Sequence, residues 1–442
     1  MIEPINKSID PNVRERAVLV GLVMYPTTRR VAEEHLAELA QLADTAGADV
    51  VETMIQTLPH PDGSWYVGKG KAEEIKALVE ADETITLIIV DDDISPVQQR
   101  NLEKVVERKV IDRSALILDI FAQRARTREA RTQVELAQLL YLMPRLTGMW
   151  THLSKQYGGI GTKGPGETQI ETDRRIIKGR IALLKEKLEK IETQGETQRK
   201  GRGEMFRVAL VGYTNAGKST LLNELAGANE VHAEDRLFAT LDTTVRQVEL
   251  KAGRTVLLSD TVGFIRKLPS HLVASFRTTL AEAREADLLL HVVDAASPSV
   301  LEQIAVVEET LRQIGADKIP CLLVLNKVDL LPAGSETLMG LKERTPESVA
   351  IAAATGLGVG TLQGKIVTIV EESFVERTVR VPLNAWHNVA KLGERIETMK
   401  KGFDDHYGYL RFRHSPKVVD AVEKALAAAG AEKWETVEGE PA

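Results

Sequence analysis

Residues 206–225 read FRVALVGYTNAGKSTLLNEL and carry the most specific pattern in this chain of 442 residues. The apolar run at 208–211 predicts a buried strand, and a helix is expected to begin near Ser219. Between them lies G-x-x-x-x-G-K-S, whose glycines remove Cβ atoms that would keep backbone N–H groups from phosphate oxygens. The stretch therefore predicts a strand, a phosphate-binding loop and a helix, which open an α/β nucleotide-binding domain.

Two side chains at the end of this loop are expected to bind the triphosphate and its metal ion. Lys218 supplies positive charge for the β- and γ-phosphates, and the Ser219 hydroxyl is expected to ligate Mg²⁺. The N-terminus of the following helix adds a favourable dipole. A chance loop with the same spacing is the alternative. The candidate binding residues are Gly212, Tyr213, Thr214, Asn215, Ala216, Gly217, Lys218, Ser219 and Thr220.

A second motif, DTVG, follows the strand-like run TVLLS at 255–259. An aspartate at the end of a strand holds Mg²⁺ directly or through water, so Asp260 is a candidate metal ligand. The N–H of Gly263 is expected to contact the γ-phosphate. Phe264 follows, and its ring cannot hydrogen-bond the attacking water. Another group orients that water, or turnover is slow until a partner docks. The candidates in this motif are Asp260, Thr261, Val262 and Gly263.

A third motif, NKVD, follows the strand-like run CLLVL at 321–325. The Asp329 carboxylate can accept hydrogen bonds from N1–H and N2–H₂ of guanine, whereas adenine leaves it unpaired. The backbone at 352–354 is expected to meet guanine O6. The order of the three motifs predicts a guanine-nucleotide site and resembles the translation-factor-related P-loop GTPases. The candidates on the guanine side are Asn326, Lys327, Asp329, Ala352, Ala353 and Ala354.

A switch loop is expected between the first two motifs, because a threonine there must reach both Mg²⁺ and the γ-phosphate. Thr240 is the preferred candidate, Thr243 and Thr244 are alternatives, and a plain strand edge is the other interpretation. Lys218, Thr240 and Gly263 are thus the candidate catalytic residues. The candidate residues of the switch loop are Phe238, Ala239, Thr240, Leu241 and Asp242.

The rest of the chain frames this domain. Residues 1–115 alternate strand and helix patterns and predict a small α/β unit. Residues 116–200 predict a long antiparallel helical hairpin with a Gly-rich tip at 157–166. Its seam consists of Ile177, Ile181, Leu184, Leu188 and Ile191. We therefore predict an α/β protein with a P-loop GTPase domain at 206–371 and a small C-terminal α+β domain at 372–442.

With these motifs, the chain resembles the HflX family of ribosome-associated GTPases. The resemblance rests on GGIGTKGPGE at 158–167, ETDRR at 171–175, VGKGK at 67–71, and the motifs at 212–219 and 238–242. It covers nearly the full length and implies a GTP-hydrolysing protein that uses GTP, GDP and Mg²⁺. It further implies binding to the large ribosomal subunit, an approach of the hairpin to ribosomal RNA, and splitting of stalled ribosomes.

The hairpin is a candidate RNA contact on its residues as well. Residues 121–200 carry 16 Lys and Arg against 9 Asp and Glu, although the whole chain has a net charge of −7. Arginines pair bidentately with phosphates, and a glycine-rich loop can approach a nucleic-acid backbone closely. A flexible connection and a solvated helical face are the alternatives. The candidate RNA contacts are Gly158, Gly159, Lys163, Gly164, Arg174 and Arg175.

Composition excludes several classes of protein. One cysteine excludes an internal disulfide framework, and no signal-peptide pattern or membrane-spanning run is visible, so we expect a cytoplasmic protein without stable membrane insertion. A monomer that does not bind DNA is expected. Two other functions remain open: a GTP-dependent assembly scaffold for a protein partner, and an ATP-driven RNA remodeller using the N-terminal domain, although no phosphate loop is evident there.

Overall fold

The computed structural model describes residues 14–146, 165–200, 205–227, 237–238, 241–269, 280–392, 396–428 and 430–433. These residues form three separate sheets of four, six and four strands, in chain order. Among the helices of the described residues, none is long and apolar enough to cross a membrane.

The first sheet is parallel, with strand order β2-β1-β3-β4. Helix α1 begins after Thr28, whose side chain accepts a hydrogen bond from the Val31 N–H, and ends at Gly47 with φ of 92°. The two inner strands, β1 and β3, are mostly apolar and buried, because helices cover both faces of a parallel sheet. The elements are β1 (Glu15–Val23), α1 (Arg29–Ala46), β2 (Ala48–Thr57), α2 (Lys69–Ala81), β3 (Ile85–Val90), α3 (Pro96–Val106), β4 (Lys109–Asp112) and α4 (Arg113–Arg124).

Helix α4 changes the predicted domain boundary. The expected division at residue 115 falls inside this single helix, which packs against α1. Its residues from Arg113 to Phe121 are all buried, since α4 closes one face of the N-terminal sheet. The N-terminal unit therefore extends at least to the end of α4.

The helical hairpin consists of α5 (Arg128–Leu142) and α6 (Pro165–Lys200). Ile181 and Leu184 of the expected seam are buried against Leu136 of α5, and Ile177 and Leu188 pack around them. The apolar spacing thus places one face of α6 on α5. The predicted Gly-rich tip falls largely on residues 147–164, which lie outside the described residues.

The second sheet has the order β10-β9-β8-β5-β7-β6, in which only β6 is antiparallel to its neighbour. This mostly parallel sheet belongs to the predicted nucleotide-binding domain. Its elements are β5 (Phe206–Gly212), α7 (Lys218–Ala226), β6 (Thr244–Glu249), β7 (Thr255–Asp260), α8 (Ala281–Arg284), β8 (Leu288–Asp294), α9 (Val300–Gln313), β9 (Cys321–Asn326), α10 (Glu336–Arg344), β10 (Val349–Ala350) and α11 (Val359–Glu372).

The third sheet is antiparallel, with the order β12-β13-β11-β14. Val379, Leu410 and Phe412 form its core with Val419 and Val422 of the last helix. The predicted fold class is confirmed: a P-loop domain lies between an N-terminal α/β domain with two long helices and a small C-terminal α+β domain. The C-terminal elements are β11 (Val375–Pro382), α12 (His387–Leu392), β12 (Glu397–Phe403), β13 (Tyr407–His414), α13 (Pro416–Ala427) and β14 (Glu432–Lys433).

Candidate nucleotide-binding site

The three motifs meet at one edge of the central sheet. They follow β5, β7 and β9, and β8 separates β5 from β9 in the parallel part of the sheet. The carboxyl ends of parallel strands point to the same edge, where ligands of open α/β sheets bind. Residues nearly 120 positions apart are therefore neighbours here.

The phosphate-binding loop has the backbone that its glycines predict. Asn215 and Gly217 have φ values of 58° and 93°, so successive peptide groups turn inward in a nest that suits an anion. A Cβ placed on Gly217 would lie 2.2 Å from the amide nitrogen of Asn326. No side chain fits between the loop and the NKVD motif, and α7 begins directly at Lys218 with its N-terminus toward the loop.

Asn326 connects three predicted parts of the site. Its Nδ2 donates to the Ala216 carbonyl at 2.8 Å, and its Oδ1 accepts from the Ala353 N–H at 2.9 Å. The side chain is 2% exposed, so both hydrogen bonds are made away from solvent. These two hydrogen bonds therefore hold the phosphate loop and the 352–354 backbone to the end of β9.

The guanine side stands around this asparagine. Asp329 is exposed on the turn after β9, where its carboxylate is free to face a base. Lys327 has φ of 60° and pairs with Asp294 at 2.7 Å, which holds the turn to β8. Ala352 is buried and Ala354 is exposed, so the short 352–354 run passes from the core to the surface.

Lys218 and Asp260 bring opposite charges to the floor of the site. The Lys218 Nζ donates to the carbonyls of Gly212 and Tyr213, at 3.2 and 2.8 Å. Burial lowers the pKa of Lys218 to about 8, with the nearby Asp260 carboxylate acting in the opposite direction. A buried ammonium whose positive charge is only partly neutralised by its surroundings is well suited to bind an anionic phosphate.

The same floor fits a magnesium ion. The Ser219 hydroxyl donates to Oδ2 of Asp260 at 2.6 Å, so two hard oxygen ligands already stand side by side. Mg²⁺ keeps several waters and takes one or two protein oxygens together with substrate phosphates. Ser219 and Asp260 match that donor set.

Residues 263–267, which follow the DTVG motif and which we call the second switch segment, begin directly on the phosphate loop. The Phe264 N–H donates to the Gly212 carbonyl at 3.0 Å, and the Thr214 N–H donates to the Phe264 carbonyl at 2.8 Å. A Cβ on Gly263 would lie 2.9 Å from the Thr214 Cα and 3.1 Å from the Lys218 Nζ. Only glycine allows this segment to approach the phosphate site so closely.

The other residues of the DTVG motif and the phosphate loop support the backbone around the site. The Thr261 hydroxyl donates to the Leu210 carbonyl at 2.7 Å and joins β7 to β5, and Val262 is buried. Thr220 lies in the first turn of α7.

Three residues of the predicted switch loop at 238–242, which we call the first switch segment, make contacts outside the phosphate site. Ala239 and Thr240 lie outside the described residues. The Phe238 ring packs edge-to-face on Phe121 of α4, with centroids 4.6 Å apart. Leu241 is buried in the same cluster, and Asp242 bonds to the start of α5. These side chains contact the N-terminal part of the chain.

Tyr213 also points away from the loop that contains it. Its hydroxyl donates to the Glu38 carboxylate on α1 and accepts from the Arg266 N–H at 2.8 Å. Burial raises the pKa of Tyr213, and the adjacent Glu38 carboxylate acts in the same direction. The phenol therefore stays protonated and joins the phosphate loop to α1.

Sequence reasoning missed the residues that surround this tyrosine. Arg113 is 1% exposed and pairs with Glu38 and Asp91, while its Nε donates to the Arg266 carbonyl at 3.2 Å. Arg266 also forms an ion pair with Asp91, at 3.1 Å. We call these four residues the interdomain cluster. The available signal was an arginine directly before the apolar run SALILDIF at 114–121.

The predicted RNA contacts divide into two groups. Arg174 and Arg175 are exposed on α6. Gly158, Gly159, Lys163 and Gly164 lie outside the described residues. The structure therefore places the two arginines and leaves the tip as a prediction.

A phosphate loop joined to a guanine-side motif through Asn326, with Ser219 and Asp260 beside the phosphate site, defines the P-loop GTPases as the class of this protein. Three protein-family models match the chain: a GTP-binding GTPase N-terminal region at 33–122, a GTP-binding GTPase middle region at 124–202, and a 50S ribosome-binding GTPase at 207–327.

Curated relatives cover most of the chain. The GTPase HflX of Caldanaerobacter subterraneus is 45% identical, over 89% of each chain. That of Escherichia coli is 45% identical over 83% of this chain and 86% of its own. That of Flavobacterium psychrophilum is 54% identical over 71% and 76%. The chain belongs to the HflX family of GTPases, as its resemblance implied, and it binds GTP and GDP and hydrolyses GTP.

Among solved structures, a GTP-binding protein from Sulfolobus solfataricus in complex with GDP is 26% identical to this chain. The match covers 80% of this chain and 98% of that one, with a TM-score of 0.42.

Proposed function

We propose that this GTPase is a switch that binds the large ribosomal subunit through its ribosomal RNA and dissociates or rescues stalled ribosomes. The matched model of a 50S ribosome-binding GTPase at 207–327 supports the ribosomal partner. One structural observation supports the switch: both segments that flank the nucleotide site contact the N-terminal part of the chain, which includes the candidate RNA-binding helices.

The first contact runs from the switch loop to α5. Oδ2 of Asp242 accepts from the backbone N–H groups of Arg126 and Thr127, at 3.1 and 3.3 Å, and Oδ1 accepts from the Thr127 hydroxyl at 2.5 Å. Thr127 is itself the N-cap of α5. Thr240 lies two residues before Asp242, so movement of Thr240 toward a γ-phosphate changes the cap of a hairpin helix.

The second contact runs from Arg266 and Lys267 to the N-terminal sheet. Arg266 pairs with Asp91, and Lys267 pairs with Asp92. Both aspartates follow β3, at the carboxyl edge of that sheet. Gly263 lies three residues before Arg266, so a γ-phosphate that draws Gly263 also acts on this interface.

In the proposed chemistry, the protein positions groups and neutralises charge. Lys218 pairs with the β- and γ-phosphates, the Gly263 N–H contacts the γ-phosphate, and Asp329 selects guanine. Ser219, Asp260 and Thr240 would hold Mg²⁺, which supplies positive charge to the phosphate oxygens. Water attacks the γ-phosphorus in line with the departing GDP, and no covalent intermediate with the protein forms.

The N-terminal sheet does not favour the alternative of an ATP-driven remodeller. Its carboxyl edge carries the consecutive carboxylates Asp91, Asp92 and Asp93, whose charge opposes a triphosphate. The first two of these already pair with Arg266 and Lys267. We therefore assign this edge to the contact with the GTPase domain.

Co-sedimentation with purified large ribosomal subunits tests the proposal. We expect binding with a non-hydrolysable GTP analogue that exceeds binding with GDP and weakens steeply as salt rises. The double variant Arg174→Ala/Arg175→Ala should bind more weakly and show a shallower salt slope. Lys185→Ala/Lys190→Ala is the matched control, because it removes the same charge farther along α6.

Two results would contradict the ribosomal function. Equal binding in the GTP-analogue and GDP states would show that the nucleotide does not control the contact. Capture of protein partners without binding to ribosomal subunits would instead support a GTP-dependent assembly scaffold.

A further inference from the structure

A water-orienting group is missing from its usual place in this GTPase. Phe264 follows the DTVG motif, where a glutamine often orients the attacking water. The Phe264 side chain is 2% exposed and packs in the core around Tyr213 and Val262. It has no hydrogen-bonding atom on its ring, so the attacking water requires another residue.

Thr214 has a hydroxyl that its surroundings leave unused. The residue is 6% exposed, and among the described residues its Oγ1 finds no hydrogen-bond partner. An unsatisfied buried hydroxyl destabilises the folded state. We expect such a group to have a hydrogen-bond partner in another state of the molecule.

The position of Thr214 indicates what that partner is. Its Cγ2 lies 2.9 Å from the point that a Cβ on Gly263 would occupy, and the Lys218 Nζ lies 3.1 Å from the same point. The hydroxyl is bonded to the same carbon as this methyl group. The Thr214 side chain, the Lys218 ammonium and the Gly263 backbone therefore converge where the γ-phosphate is expected.

Water can reach this point from the side. A cavity of about 410 Å³ adjoins the phosphate loop and is lined by Thr214, Asn215, Glu38, Gln41 and Arg266, among others. Its lining mixes polar and apolar side chains, and one water needs only about 30 Å³. The cavity lies between α1 and the phosphate loop and opens onto Thr214.

We propose that the Thr214 hydroxyl is a catalytic group that orients the attacking water. The hydroxyl accepts a hydrogen bond from the water and directs a lone pair of the water oxygen toward the γ-phosphorus. The new bond joins that oxygen to phosphorus, and the bond to the β–γ bridging oxygen breaks. The water proton leaves with the phosphate product, so Thr214 neither gains nor loses a proton.

Single-turnover GTP hydrolysis by the full-length protein tests this role. Thr214→Val keeps the shape of the side chain and removes the hydroxyl, so the rate constant should fall by about tenfold or more. Affinity for GDP and for a non-hydrolysable GTP analogue should stay within about threefold. Thr214→Ser restores a hydroxyl and should recover the rate to within about threefold.

Thr310→Val is the matched control, because Thr310 is buried on α9, away from the phosphate loop in sequence, and its hydroxyl donates to the Val306 carbonyl. It should hydrolyse GTP at the wild-type rate. The proposal is overturned if Thr214→Val is slowed by less than tenfold, or if the serine variant is as slow as the valine variant. It also fails if the valine variant loses analogue affinity by the same factor as rate, since that would show a role in ground-state binding.

Discussion

At the scale of single residues, Lys218 shows how burial prepares the site for its substrate. The ammonium is 7% exposed, and burial brings its pKa to about 8, against 10.5 for an ordinary lysine. His291 on the neighbouring strand β8 is buried too, and burial and Lys218 lower its pKa to about 4. The imidazole is therefore neutral at physiological pH and does not repel the Lys218 ammonium.

Nucleotide affinity should depend on pH through Lys218. Below pH 8 the ammonium is charged in both the free and the bound protein, so this group contributes no pH dependence. Above pH 8 the free protein loses the proton, whereas phosphates retain it in the complex. The affinity for GDP should then fall, by up to about tenfold per pH unit. Titration of a fluorescent GDP analogue at pH 7, 8 and 9 measures the change.

Lys218→Arg is the control for this prediction. A guanidinium stays charged throughout the range, so any remaining slope reflects the nucleotide or other groups. We expect the wild-type curve to be steeper than that of the arginine variant above pH 8. Parallel curves would show that Lys218 keeps its proton in the free protein.

At the scale of elements, helix α5 has an N-terminal cap built from two distant segments. Thr127 accepts from the Ala130 N–H at 3.1 Å, while Asp242 satisfies the N–H groups of Arg126 and Thr127. The first N–H groups of a helix have no partner within the helix. The switch loop therefore supplies part of the stability of a helix in the candidate RNA-binding hairpin.

Asp242→Ala should lower the free energy of unfolding by about 0.5–2 kcal/mol, the usual range for loss of a cap. It should also speed hydrogen exchange in the first turn of α5. A GTP analogue should speed the same exchange in the wild-type protein, because the nucleotide draws the switch loop away. Hydrogen-exchange mass spectrometry of a peptide spanning 126–134 reports both effects.

The capping box of α3 offers a comparison. Ser95→Ala removes the hydroxyl that accepts from the Gln98 N–H at the start of α3, a helix of the N-terminal unit. Its loss of stability should be similar and independent of nucleotide. Unchanged exchange in the first turn of α5 upon addition of the analogue would contradict the coupling.

At the scale of the whole molecule, the interdomain cluster joins the N-terminal unit to the GTPase domain. Arg113 and Arg266 carry positive charge, and Glu38 and Asp91 balance it. Arg113, Asp91 and Arg266 are each less than 10% exposed. Buried charges are tolerated only when they are paired, so the cluster ties correct packing of the domains to charge balance.

Asp91→Ala should destabilise the protein by about 3–5 kcal/mol, because it removes one of the two carboxylates that pair with the buried Arg113 and Arg266. The double variant Asp91→Ala/Arg266→Ala should lose less than the sum of the two single variants. Urea-induced unfolding measures each difference. Glu347→Ala breaks only the exposed pair with Lys365 and should change stability by less than about 1 kcal/mol. Additive losses for Asp91 and Arg266 would show that the two domains are not coupled through these charges.

The order of residues in the chain is enough to infer its local chemistry. Consecutive residues such as Gly217 and Lys218 define a backbone shape and a charge within one turn, and apolar spacing defines the face of α6 that includes Ile181 and Leu184. For this reason the phosphate loop, the guanine-side motif, the alternation of strands and helices and the hairpin seam were all accessible without coordinates.

The partners of Tyr213, Asp242 and Arg266 were accessible only from the folded chain. Tyr213 is a candidate binding residue of the phosphate loop, and its hydroxyl donates to Glu38, which lies 175 residues away. Asp242 caps a helix that begins more than 110 residues earlier. No periodicity or spacing encodes such pairs, because they depend on how whole domains pack and on which way each side chain then points. Tertiary structure alone decided that both switch segments would contact the N-terminal part of the molecule.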